Sequence, residues 1–192
     1  RQRFEYGTSA APLARKHANA VAPLVVSHWS ALVWALAGSG HPLTGATVGA
    51  VTTAQLAPRL KGLQHPWSEA ARLAGKGHLH AGAAVADAVR RAWWPIALPA
   101  AAMSKTARRA LLAAATIPPL VEWRRQRPSI DPPRWVALRL IDDVAYGAGV
   151  WAGCLRERSV AALRPELTSW PGRRAAIQSA GDLPQRPATP VE

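Results

Sequence analysis

Uncharged apolar runs alternate with basic segments along this chain. Two such runs, 22–38 and 43–57, are separated by the segment 38–42, which contains two glycines and a proline. Because glycine and proline end helices, the pattern predicts a helical hairpin with a neutral tip. At 1.5 Å per residue the first run measures about 26 Å, slightly short of the ~30 Å hydrocarbon core of a bilayer. A shallow or tilted insertion fits these runs as well as a full crossing does.

The pattern predicts further helices and no strand. They are an amphipathic helix over 67–91, an apolar run over 93–103, a run over 110–123 bent at its two prolines, and a last helix over 134–158. Within the first of these, Asp87 and Arg91 have the spacing and order of a stabilising ion pair. Beyond residue 170 the composition turns to proline, glutamine, arginine, serine and glycine, which predicts disorder over 171–192.

Composition adds a strong basic excess to this picture. The 192 residues carry 24 Lys and Arg against 11 Asp and Glu, for a net charge of +13, and include nine Trp. With 49% hydrophobic residues the body of the chain has enough apolar surface to fold. Basic clusters flank the apolar runs, often beside Trp, instead of forming the single charged face of a nucleic-acid binder. This arrangement favours anionic membrane lipids as a partner over nucleic acid, so no nucleic-acid partner is predicted, although a nucleic-acid binder is a further alternative.

Small residues four positions apart occur in two predicted helices. Gly45 and Gly49 lie in the second apolar run, and Gly149 and Gly153 lie in the last helix. Such spacing makes a flat stripe along which a neighbouring helix packs closely. Chance in a chain rich in alanine and glycine is the competing interpretation.

The other candidate groups favour structural roles. Asp142 and Asp143 stand in an apolar helix, but Arg139 lies three and four residues before them, so an ion pair within the helix explains both acids. His78 and His80 are two residues apart and do not share a helix face, so no metal site is predicted. The single cysteine, Cys154, excludes a disulfide framework and is expected to pack as a small apolar side chain.

Four stretches carry a resemblance to known enzymes. Residues 1–10, which include Arg1, Gln2, Arg3 and Tyr6, resemble the end of the catalytic domain of family 2 glycosyltransferases. The stretches 23–37, 77–82 and 142–151 resemble the C-terminal part of one branch, the mycofactocin biosynthesis glycosyltransferases. The Arg-Phe-Glu-Tyr sequence of this chain replaces the Gln-x-x-Arg-Trp motif of processive members, which argues against coupled extrusion of a long polymer.

The resemblance implies a mostly α fold. We expect a bundle of short apolar and amphipathic helices, associated with a membrane, that follows the end of a truncated α/β nucleotide-sugar-binding domain. On this interpretation 1–20 ends the catalytic domain, 21–170 is a helical membrane-associating domain, and 171–192 is the tail. The expected location is the cytoplasmic face of the cell membrane.

The resemblance also implies an activity. The full-length enzyme would transfer glucose from a nucleotide sugar, UDP-glucose, to a precursor of the peptide-derived redox cofactor mycofactocin. A divalent cation, Mg²⁺ or Mn²⁺, and the catalytic base would belong to the part before Arg1, so this piece alone is expected to be inactive. Arg1, Gln2, Arg3 and Tyr6 would contact the substrate, since guanidinium groups neutralise a departing diphosphate. The alternatives are an enzyme acting on a cell-envelope glycan and a non-enzymatic membrane adaptor.

Overall fold

The computed structural model describes residues 1–17 and 21–168, and most of these residues are helical. The α-helices of this part are α1 (Gln2–Thr8), α2 (Ala10–Lys16), α3 (His28–Gly38), α4 (Pro42–Leu56), α5 (Pro66–Arg91), α6 (Trp94–Met103), α7 (Lys105–Gln126) and α8 (Pro132–Arg156). The mostly α fold predicted from the sequence is therefore confirmed. The tail predicted over 171–192 lies outside the described residues.

The two apolar runs do form a helical hairpin, made by α3 and α4. Its turn needs Gly40, which has a positive φ of 95° that other residues rarely adopt. The first run is not helical throughout, however. Ser27 caps α3 by accepting a hydrogen bond from the Ser30 amide, and the residues before that cap are extended.

Those extended residues correct the prediction that the chain has no strand. β1 (Val25–Ser27) pairs in parallel with β2 (Glu166–Thr168), with Val26 opposite Leu167. The two strands are only three residues long and far apart in sequence, so neither has a periodic signal of its own. Their pairing ties the end of the described chain to the start of the hairpin.

Among the described residues, no helix combines the length and the apolar character that a membrane crossing requires. α3 has 11 residues and α4 has 15, fewer than the roughly 20 that a spanning helix needs.

Two of the longer helices begin and end near their predicted limits. α5 and α8 differ from the predicted 67–91 and 134–158 by at most two residues at either end, whereas α7 begins five residues before and ends three residues after the predicted run of 110–123. Ser104 and Asp131 cap α7 and α8 with side-chain hydrogen bonds to backbone amides. α7 continues through Pro118 and Pro119, and it ends at Gln126, where the capping residue Arg127 adopts a left-handed conformation.

Alanine provides much of the core, so the helices approach closely. One cluster joins α2 to α8 through Ala11, Ala14, Val150 and Cys154. A second cluster lies between the β1 segment and α5, where Leu24 and Val26 meet Ala81 and Ala88 and are flanked by partly buried Trp. The prediction that Cys154 packs as a small apolar side chain is confirmed by its burial.

Several Trp side chains fasten neighbouring elements by hydrogen bonds. The indole N–H of Trp34 donates to the backbone carbonyl of His78, and that of Trp93 donates to the carbonyl of Leu163. In the same way Trp123 donates to the Ile130 carbonyl and Trp151 to the Ala92 carbonyl, and all four distances are 2.7–2.9 Å. The Trp residues beside the basic clusters, which include Trp93 and Trp123, are predicted from the sequence to lie at lipid headgroups. The polar atoms of Trp93 and Trp123 instead bond within the protein, which gives these two rings an internal role.

Candidate functional site

The four residues predicted to contact substrate lie together, with Gln2, Arg3 and Tyr6 on α1 and Arg1 as the residue that precedes it, and all four side chains are exposed. Arg1 pairs with Glu5 one turn later, with 2.9 Å between Nε and Oε1. The Gln2 amide donates to the Tyr6 hydroxyl at 3.3 Å. Arg3 reaches another helix, where its Nε lies 2.6 Å from Oδ1 of Asp142. α1 thus presents two guanidinium groups, an amide and a phenol to solvent.

Glycines set α1 directly against α8. A Cβ added to Gly153 would lie 2.6 Å from the carbonyl oxygen of Thr8, and one added to Gly149 would lie 3.0 Å from Cα of Gly7. Both distances are shorter than ordinary van der Waals contact. The backbones of the two helices therefore touch, and the position of Arg3 is fixed by α8.

Behind this contact lies a buried charge cluster that joins α8 to α5. Nη1 of Arg90 lies 2.6 Å from Oδ2 of Asp143, and both side chains are nearly inaccessible to solvent. Arg90 also pairs with Asp87, and Nε of Arg91 lies 3.6 Å from Oδ1 of Asp143. Burial raises the pKa of the Asp143 carboxyl, and the two guanidinium groups oppose that shift. Arg91 also stacks over the Tyr146 ring, at 4.6 Å from its centre.

This cluster corrects two predictions of ion pairs within one helix. Arg139 does not pair with Asp142 or Asp143, because it turns to Glu122 on α7. Each aspartate instead pairs with arginine from another element, as described above. Similarly, the predicted pair of Asp87 with Arg91 does not form. Arg91 pairs with Asp143, and Asp87 pairs with Arg90. Correct spacing in sequence was outweighed by partners that the tertiary fold brings closer.

The other predicted glycine pair lies in the α3–α4 hairpin. A Cβ on Gly45 would lie 2.7 Å from the carbonyl oxygen of Val33, so α3 and α4 touch there. Gly49 is less crowded, with His78 and Val33 atoms at 3.8–4.0 Å. The space beside Gly49 is occupied by the imidazole of His78, which reaches in from α5.

His78 links three helices by hydrogen bonds. Its Nδ1 lies 3.0 Å from the buried hydroxyl of Ser30 on α3, and its Nε2 lies 3.1 Å from the hydroxyl of Thr52 on α4. The Thr52 hydroxyl donates to the Gly49 carbonyl, so it accepts from Nε2–H and leaves Nδ1 to accept from Ser30. His80 bonds only to a carbonyl of its own helix, that of Lys76. His78 is therefore a structural connector.

Within residues 1–17 and 21–168, no group of three His, Cys, Asp or Glu side chains could hold a metal ion.

Burial raises the pKa of the Cys154 thiol, which disfavours the reactive thiolate. On the exposed side of α1, Arg1 and Arg3 present planar guanidinium donors to solvent, although each also pairs with a carboxylate. The sequence analysis did not identify Arg90 and Arg91 as partners of Asp143. The one feature that could have indicated it is the pair of basic residues at the end of the amphipathic helix α5.

The described residues form a mostly helical unit whose first helix carries exposed arginines. The chain is 35% identical over 172 residues to the pre-mycofactocin glycosyltransferase of Mycobacterium tuberculosis, with the same values for the CDC 1551 and H37Rv strains. The aligned region covers 84% of this chain and 37% of each relative. No family model and no solved structure matches the chain.

These relatives confirm the resemblance to mycofactocin biosynthesis glycosyltransferases that the sequence motifs indicated. The chain spans about two fifths of the length of the curated relatives that it matches.

Proposed function

We propose that this chain is the helical C-terminal part of a glycosyltransferase that acts in mycofactocin biosynthesis. The observation that carries the proposal is the 35% identity to a pre-mycofactocin glycosyltransferase over 84% of the chain. The substrates are a nucleotide sugar, UDP-glucose, and a mycofactocin precursor as acceptor. The similarity of residues 1–10 to family 2 enzymes supports a transfer in which the deprotonated acceptor hydroxyl displaces the nucleotide diphosphate in line, carried by a preceding nucleotide-sugar-binding domain.

We assign to Arg1 and Arg3 the role of stabilising the negative charge that develops on the departing nucleotide diphosphate. Planar guanidinium donors suit phosphate oxygens, and electrostatic stabilisation of a leaving group is a large term in catalysis. Gln2 and Tyr6, bonded to each other one turn apart, would complete the edge of the site. Arg3 is held by Asp142, so its guanidinium group is oriented before any ligand arrives.

The divalent cation of such enzymes is not assigned to this chain. Eight acidic side chains of the described residues are engaged in ion pairs with arginine, and no group there has the ligands for a metal ion. We therefore place the cation, Mg²⁺ or Mn²⁺, and the catalytic base in a different part of the enzyme. Residues 1–192 alone are expected to transfer no sugar.

A transfer assay on the product of the complete reading frame tests this proposal. UDP-glucose and Mg²⁺ or Mn²⁺ are supplied with a mycofactocin precursor or with a lipid-linked cell-envelope glycan, and the products are weighed by mass spectrometry. The proposal predicts a hexose added to the precursor alone. Addition to the glycan alone identifies the alternative enzyme, and addition to neither acceptor contradicts the transferase assignment.

Arg3 is tested in the same assay against a matched arginine. Arg3→Ala should slow transfer by at least tenfold, because removing a donor to developing charge costs about 10²–10³ in rate in well-studied cases. Arg72→Ala removes an equally exposed arginine that pairs only with Glu69 on its own helix, and it should leave the rate unchanged. If both variants transfer hexose at the same rate, Arg3 does not contribute to the site.

A further inference from the structure

Asp142 lies on the side of α8 that packs against α1. At 100° per residue, Gly149 and Gly153 follow Asp142 by two and three turns of the helix, each to within about 20°. These two glycines meet the backbone of Gly7 and Thr8, so this side of α8 touches α1 directly. Asp142 therefore stands beside α1 at a separation that the glycine contacts fix.

The carboxylate of Asp142 is directed to a single arginine. The neighbouring Asp143 points to α5 instead, where nitrogen atoms of Arg90 and Arg91 lie 2.6 and 3.6 Å from its oxygens. Within residues 1–17 and 21–168, the ion pair of Asp142 is the one with Arg3 alone. The two adjacent aspartates thus have separate partners, and the charge of Asp142 acts on α1.

The pair with Asp142 engages only one of the donors of Arg3. The bond is made by Nε, 2.6 Å from Oδ1 of Asp142, and a guanidinium group has five N–H donors. In the described part of the chain no acceptor binds Nη1 or Nη2 of Arg3, and its side chain is 52% exposed. Arg72 differs, because it uses both Nε and Nη2 for Glu69. Arg3 is therefore held by Nε while its outer nitrogens face solvent, in the arrangement that binds a phosphate group by two parallel hydrogen bonds.

We propose that Asp142 is a positioning residue for the sugar transfer, which holds Arg3 by Nε so that Nη1 and Nη2 meet the departing nucleotide diphosphate. This inference rests on the proposed function, since it assigns a role to a partner of the same site. In the transfer the acceptor oxygen bonds to the anomeric carbon as the bond from that carbon to the diphosphate oxygen breaks. The electron pair of the broken bond stays on the diphosphate, and the acceptor proton goes to the base that we place in a different part of the enzyme. A guanidinium group that is already oriented stabilises the new charge without having to reorganise.

A positioning carboxylate predicts a specific change in the kinetics. Without Asp142 the side chain of Arg3 gains rotational freedom, so it is less often in place when the charge develops. The carboxylate also repels a bound anion, so its removal does not weaken the binding of the nucleotide sugar. The loss should therefore fall on kcat, and KM for UDP-glucose should not rise.

Steady-state kinetics of the product of the complete reading frame test this role in the transfer assay described above. Asp142→Ala should lower kcat by about five- to tenfold, with KM for UDP-glucose unchanged or lower. Asp142→Asn should recover part of that loss, because its amide oxygen still accepts a hydrogen bond from Nε of Arg3. Glu157→Ala is the matched control, because Glu157 also joins α8 to an N-terminal helix through an exposed arginine, Arg15 on α2. It should leave kcat unchanged, and unchanged circular dichroism establishes that each variant is folded.

A double variant shows whether Asp142 acts through Arg3. Arg3→Ala combined with Asp142→Ala should be no slower than Arg3→Ala alone, because the carboxylate then has no guanidinium group to hold. If Asp142→Ala fails to fold, Asp142→Asn takes its place in each comparison.

Three results would overturn the role of Asp142 while leaving the transferase assignment intact. They are equal kcat values for the Asp142 and Glu157 variants, a rise in KM without a fall in kcat, and a further loss of rate in the double variant. An unmodified protein that adds no hexose contradicts the proposed function itself, and the role of Asp142 with it.

Discussion

Gly153 is the position at which one added methyl group tests the packing of α1 on α8. In Gly153→Ala the new Cβ would lie 2.6 Å from the carbonyl oxygen of Thr8 and 3.2 Å from two further backbone atoms of that residue. Ordinary contact begins at 3.4 Å, so the backbone of α1 must retreat by most of an ångström. Backbone cannot rotate away as a flexible side chain does, and the Arg3–Asp142 pair resists the movement.

The magnitude follows from two opposing effects. Overpacking a tight contact costs about 1–3 kcal/mol. Replacing a helical glycine with alanine gains about 0.5–1 kcal/mol through the smaller entropy of the unfolded chain. The free energy of unfolding of Gly153→Ala should therefore fall by about 1–2 kcal/mol, which lowers the midpoint of thermal unfolding by about 2–8 °C in a chain of this size.

Gly77→Ala is the matched control, because a Cβ at Gly77 in α5 meets no atom within 4 Å. This variant should gain about 0.5–1 kcal/mol. Urea unfolding followed by circular dichroism at the helical band measures both variants on the same scale. If Gly153→Ala is as stable as Gly77→Ala, α1 does not touch α8 as described, and the support proposed for Arg3 is lost.

Three further substitutions or treatments test other contacts. Asp143→Ala should lower the free energy of unfolding by about 3–5 kcal/mol in urea titrations, because Arg90 stays buried without its main partner; a loss below 1 kcal/mol would show that the pair is solvated. His78→Ala should cost about 1–3 kcal/mol in the same titrations by removing a partner of buried hydroxyls, whereas His80→Ala should stay within about 0.5 kcal/mol. Because burial raises the pKa of the Cys154 thiol, little thiolate forms near pH 8, and Ellman's reagent should react far more slowly with the folded chain than in urea; equal rates would place this thiol at the surface.

Local patterns were sufficient to predict the limits of α5 and α8 and the α3–α4 hairpin, but not where α3 and α7 begin. The limits of α5 and α8 follow from apolar periodicity and from the prolines near their starts, and the break at Gly40 follows from turn chemistry. These signals act over a few residues, so they hold whatever the rest of the chain does. The parallel pairing of Val26 with Leu167 is different, because two short strands far apart in sequence carry no local signal for each other.

The candidate site also has one part that local patterns predict and another part that depends on the tertiary fold. The motif in residues 1–10 predicts substrate contacts at Arg1, Gln2, Arg3 and Tyr6; the structure places their side chains in solvent, and their contact with substrate stays a prediction. The partners of Asp142 and Asp143 could not be identified from one helix, because spacing favoured Arg139 and the fold brought Arg3 and Arg90 closer. An ion pair within a helix contributes only about 0.2–0.5 kcal/mol to stability, so a better placed partner from another helix forms the pair instead.

The central claim is that the reading frame containing this chain encodes an enzyme that glycosylates a mycofactocin precursor. Deleting that frame in the source organism and weighing the mycofactocin-type compounds in cell extracts tests the claim most directly. The account predicts that precursors without hexose accumulate and that the complete frame restores the glycosylated forms. Glycosylated compounds at unchanged levels in the deletion strain would contradict it.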